Sequence, residues 1–136
     1  VAVALNAAGD RLAVGVPGDD ARFNGVTDVG AVQLFTFTDA SFGGGARSGL
    51  IGHGYIGAAD LNLSTPLSTL DRFGTSVALN AAGDRLAVGA PYDDGSNNLV
   101  GDAGMVMLVS FADTSFGSPS LSGTIGFGYT GPQSVN

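Results

Sequence analysis

The residues best placed to do chemistry are acidic and come in two matching sets. Asp19, Asp20, Asn24 and Asp28 lie in one polar loop, GDDARFNGVTDV, and Asp93, Asp94, Asn98 and Asp102 recur at the same offsets in another. Carboxylate and amide oxygens on a flexible loop are hard ligands that suit calcium, which takes roughly six to eight of them. The same residue types in turns accept hydrogen bonds from the backbone N–H groups just ahead. The spacing therefore admits two readings, a possible calcium site made of these eight residues or two loops that tie themselves together.

Other chemistry is poorly represented. No Ser or Thr stands near an evident base, no histidine pair has metal-binding spacing, and the one histidine, His53, has Phe127 as its counterpart in the second set. GHGYIG at 52–57 and GFGYTG at 126–131 match the spelling of a dinucleotide fingerprint. That fingerprint needs a strand before it and a helix after it, and a polar coil or Pro132 follows here. These glycines fit close backbone packing or a bulge around Tyr55 and Tyr129. Asp10-Arg11 and Asp84-Arg85 read as local ion pairs, worth little if exposed. Asn62-Leu63-Ser64 is a glycosylation sequon in form only. The expectation is a chain that is not an enzyme, has no catalytic residue and requires no cofactor.

The acidic sets belong to a larger pattern. VALNAAGDRLAVG occupies residues 3–15 and recurs unchanged at 77–89, an offset of 74 residues. Carried forward without a gap, the offset makes 35 of 62 paired positions identical between 1–62 and 75–136. It aligns Ser41-Phe42-Gly43 with Ser115-Phe116-Gly117 and Tyr55 with Tyr129. Self-similarity at a fixed period marks a repeat architecture, here with one unit over 1–72 and a second over 73–136.

Composition agrees with strands and turns. All 12 acidic residues are Asp and all five basic ones Arg, and there are 23 glycines. The long-chain residues that fill exposed helix faces are scarce, while Asp and Gly are turn formers. The net charge of −7 is spread over the turns, with no basic stripe to neutralise phosphates, so a nucleic-acid partner is not expected. No apolar run approaches the length of a membrane span. The absence of cysteine excludes disulfides and thiolate metal sites without fixing the compartment.

The elements that must position the acidic loops are strands. VAVAL runs into Asn6-Ala7-Ala8-Gly9, and RLAVGV then resumes the pattern, which predicts a hairpin with Asn6 opening a type I turn and Gly9 left-handed. Pro17 ends the second strand, the acidic loop follows, and GAVQLFTFT alternates as a third strand over 30–38. A fourth strand is expected near 47–52, then an irregular connection over 58–71. The second copy predicts strands near 75–79, 85–90, 104–111 and 121–126. Each copy is thus a unit of four short antiparallel strands, the size of a propeller blade.

FGTSVALNAAGDRLAVGAP at 73–91, followed by GMVML at 104–108, resembles an FG-GAP repeat, the blade unit of integrin-alpha-like β-propellers and of repetitive bacterial surface and secreted proteins. The first copy has Gly15-Val16-Pro17 in place of GAP, and its own FG would precede Val1. The resemblance implies an all-β fold of two tandem blades, part of a larger propeller or of a multi-chain assembly or fibre, since two blades leave uncovered faces. It also implies an extracellular, structural or adhesive scaffold whose partners are other blades or copies of itself, with a cell-surface protein or glycan as a further possible partner. The alternative function is a lectin-like, carbohydrate-binding propeller, with calcium as the candidate stabilising ion. The family's calcium loop between its first two strands is replaced here by NAAGDR, whose alanines offer no ligand oxygens.

Overall fold

In each copy the Asn-Ala-Ala-Gly-Asp stretch closes a hairpin through its own asparagine. The Asn6 Oδ1 accepts from the N–H groups of Asp10 (3.1 Å) and Arg11 (3.0 Å), and the Asn80 Oδ1 does the same for Asp84 and Arg85. Gly9 turns the chain with φ of +75° and donates to the Asn6 carbonyl, a conformation that costs glycine little. The turn predicted from the sequence is the turn observed.

The computed structural model describes residues 1–136, built almost wholly from strands and turns. The first repeat contains β1 (Ala2–Leu5), β2 (Arg11–Val16), β3 (Ala31–Thr36), β4 (Ala46–Gly52) and β5 (Leu61–Asn62). The second contains β6 (Ser76–Leu79), β7 (Arg85–Ala90), β8 (Met105–Ser110) and β9 (Ser120–Gly126). They form two sheets, ordered β1-β2-β3-β4-β5 and β6-β7-β8-β9, each an antiparallel meander except that β5 joins β4 in parallel. The four-stranded units therefore stand as expected, with strand ends differing by one or two residues. The parallel β5 was not foreseen, because two residues carry no readable alternation. Its counterpart on the second sheet is a single parallel bridge from Ile125 to Val135.

The alternation along each strand decides which side chains meet. In the first sheet Ala13, Val32, Leu34 and Ile51 share one face, since Ala13 pairs with Leu34 and Val32 with Ile51. In the second, Leu86, Val88, Met107 and Val109 share the opposite face. All eight are buried in one continuous apolar cluster, with Val77 and Leu79 packed on it. The rear face of the first sheet is thus covered by the front face of the second. The hairpin turns also touch, the Ala7 N–H donating to the Ala81 carbonyl at 3.1 Å, and the Arg11 Nε reaches across to the Thr114 carbonyl.

Because the repeats are nearly identical, the same residue meets two environments. Ile51 is fully buried while its counterpart Ile125 is 42 % exposed. On the other face the order reverses, with Phe116 buried and its counterpart Phe42 55 % exposed. Truncating a buried isoleucine to alanine costs about 2–5 kcal/mol, whereas the same change at an exposed site costs well under about 1 kcal/mol. Thermal unfolding of Ile51→Ala and Ile125→Ala should therefore separate the two strongly, Ile51→Ala lowering Tm by many degrees and Ile125→Ala by few; equal shifts would contradict this packing.

Candidate functional site

The two acidic loops follow β2 and β7, where Pro17 and Pro91 end the strands, and each is folded by its own carboxylates. The Asp19 Oδ1 accepts from the Ala21 N–H at 3.0 Å and the Asp93 Oδ1 from the Gly95 N–H at 3.0 Å. The Asp20 Oδ1 accepts from the Asp28 N–H and the Asp94 Oδ1 from the Asp102 N–H, both at 2.8 Å. Asn24, Asp28, Asn98 and Asp102 hold left-handed backbone conformations, with φ of +53°, +47°, +52° and +54°, positions that Asn and Asp tolerate better than most residues. Asp19, Asp20, Asp93 and Asp94 thus accept from the backbone of their own loops, whereas Asn98 donates from its Nδ2 to the Ser68 Oγ at 2.7 Å and Asp28 lies 4.0 Å from Arg72; no group of three or more Asp, Glu, His or Cys side chains is gathered as a metal site would need.

One tyrosine per repeat locks each loop to its sheet. The Tyr55 hydroxyl donates to the Asp19 Oδ1 at 2.7 Å, and the Tyr129 hydroxyl to the Asp93 Oδ2 at 2.8 Å. The glycines of GHGYIG and GFGYTG serve this arrangement: Gly54 and Gly128 turn the chain with φ of +79°, and each tyrosine ring lies against the preceding Gly52 or Gly126. Burial and the adjacent carboxylate both push the two phenols far above their ordinary range. Neither tyrosine loses its proton at any physiological pH, so each stays a donor.

At the second loop the environment is drier. Asp93 is fully buried, and that burial raises its carboxyl above the usual range, partly offset by the bonds from Tyr129 and Gly95. A second buried carboxylate, Asp71, comes from the connection ahead of β6. It is 1 % exposed; its Oδ2 accepts from the Ser68 N–H, while its Oδ1 has no hydrogen-bond partner. Burial, with the nearby Asp93 and Asp94, pushes Asp71 up to about 6 against the bond from Ser68. Asp71 was missed in the sequence because it stands alone in an irregular connection. The available signal was its place two residues ahead of Phe73-Gly74.

Phe73 and Gly74 lead into the second repeat but lie along the first. Phe73 is fully buried, donates its N–H to the Val29 carbonyl at 2.9 Å and forms a parallel bridge with Gly30. The N–H groups of Leu70 and Arg72 donate to the carbonyls of Thr27 and Asp28. Residues 67–106 match the family model described as the FG-GAP repeat. The chain carries an FG-GAP repeat. The matched stretch starts ahead of the leader that seats on the first sheet and ends within β8, so it straddles the junction between the sheets. The first copy, alike in sequence and strand order, makes the pair two tandem propeller-type blades. No curated protein matches the chain, and no helix is long and apolar enough to cross a membrane.

The buried carboxyl of Asp71 ties stability to pH. It titrates near 6 in the folded chain against 3.8 ordinarily, so the native state holds the proton more tightly than the unfolded one. The resulting stabilisation is complete below about pH 4 and lost as pH rises through about 6, a change on the order of 3 kcal/mol. Melting temperature should fall by several degrees between pH 5 and pH 7.5, and Asp71→Asn should remove most of that fall; an unchanged slope in Asp71→Asn would place the titration elsewhere.

Proposed function

We propose that the chain is a non-enzymatic, extracellular repeat scaffold with a structural or adhesive role, acting through blades that complete one another within a larger propeller, a surface filament or an assembly of copies. The reading is supported by one observation, the unequal burial of identical residues. Val3, Leu5 and Phe42 on the front of the first sheet are 66, 43 and 55 % exposed, while their counterparts Val77, Leu79 and Phe116 are covered. The rear of the second sheet is open in the same way around Ile125. Each end of the pair thus displays an apolar face whose matching half is present at the opposite end. Such a heterologous contact repeats from copy to copy, giving a ring where the rotation closes and a filament where it does not.

Light scattering and electron microscopy of the purified chain test this. The net charge of −7 opposes association of copies, and salt screens it, so mass should rise above that of one chain with concentration and with ionic strength. It should do so equally in calcium and in chelator, because the loop carboxylates already accept from the chain's own donors. A monomer at high concentration and high salt would refute the reading.

A further inference from the structure

The rear face of the second sheet carries the same socket that, on the first sheet, holds the Phe73-Gly74 leader. On the first sheet the leader crosses Gly15, Gly30 and Ala31, with Gly74 packed so closely on Gly15 that a methyl group there would overlap the Gly74 carbonyl. The counterparts on the second sheet are Gly89, Gly104 and Met105, and they line an open groove of about 540 Å³ together with Ala90, Val106 and Gly126. A methyl group on Gly89 would meet only the hydroxyl end of Ser76, a side chain free to turn away. The backbone acceptors are in place too. The Asp28 and Val29 carbonyls accept from Arg72 and Phe73, whereas the equivalent Asp102 and Ala103 carbonyls receive no backbone hydrogen bond.

We infer that this groove is a binding site for the leader of another FG-GAP repeat, an extended segment with Phe-Gly followed by an alternating apolar strand. The inference rests on the scaffold reading and specifies its docking chemistry. Phenylalanine supplies the ring that fills the groove beside Val106. Glycine is required next because the two backbones approach at Gly89 more closely than any Cβ allows. Further along the same strands lies a second apolar hollow of about 440 Å³ over Ala78, Ala87 and Leu108. That hollow would receive the strand after the leader, as β1 and β2 of the first sheet lie against β6. Recognition therefore combines backbone bonds from the leader with face-to-face packing of the strand behind it, and one aromatic pocket for specificity.

The test uses a synthetic peptide of residues 61–79, labelled and titrated with the whole chain, alongside light scattering of the chain with and without it. Saturable one-to-one binding is expected, weakened at least tenfold by Phe73→Ala in the peptide and by Gly89→Ala in the protein. Gly89→Ala has room to fold, and an unchanged melting temperature checks that it does. Bound peptide should also cap the open face and lower the mass of assemblies. No saturable binding, or binding indifferent to both substitutions, overturns the inference. If assemblies persist without peptide binding, the scaffold reading stands and only the leader docking falls; if neither occurs, both fall.

Discussion

Everything in this molecule depends on the covering of one sheet face by the next. A four-stranded sheet of Ala, Val, Leu and Gly has two apolar faces and too little depth to bury either alone. The second repeat resolves this for the first by laying its front face, and the leader ahead of it, onto the first sheet's rear. The small side chains of the repeated VALNAAGDRLAVG stretch permit the approach, and at Gly15 the backbones come closer than any side chain would allow. The core is thus an interface between repeats, and removing either partner leaves the other without one.

That interface explains where the polar groups have to be. A long loop between neighbouring strands of one sheet, as here between β2 and β3 and between β7 and β8, lies beyond the ladder and must satisfy its own N–H groups. Asp19, Asp20, Asp93 and Asp94 do so, and Tyr55 and Tyr129 fasten the loops to the sheets from 36 residues away in each case. At the junction the arrangement carries a cost. Asp71 and Asp93 are drawn into the covered region, and the Asp71 Oδ1 stays without a partner. A buried, unpaired oxygen prefers to be protonated, which couples the seating of the leader to pH through desolvation. In the first repeat the equivalent loop has no such neighbour, and Asp19 stays half-buried.

The same geometry gives the pair a direction. A front face meets a rear face, so the two ends differ and each complements the other. This polarity follows from the strand parity of the repeat, since Leu86 and Val88 look toward the first sheet while Ala87 between them looks away. It makes the uncovered groove over Gly89 and Gly104 a continuation of the internal junction, with glycines at the same two positions as Gly15 and Gly30.

Much of this was legible in the residues. The unchanged stretch at an offset of 74 determined that there are two equivalent units. Asn-Ala-Ala-Gly-Asp determined the hairpin, because turn geometry is written within five residues, and alternation placed the strands to within a residue or two. The pairing of Asp and Asn offsets marked the loops, yet could not say whether their oxygens face outward to an ion or inward to the backbone, since both uses need the same residue types. What only the tertiary structure decided is the inequality between equivalents. Ile51 and Ile125, Phe42 and Phe116, Asp19 and Asp93 have the same letters and opposite surroundings. Burial is a property of what lies opposite a side chain, and two identical stretches of sequence carry no record of which one has a neighbour.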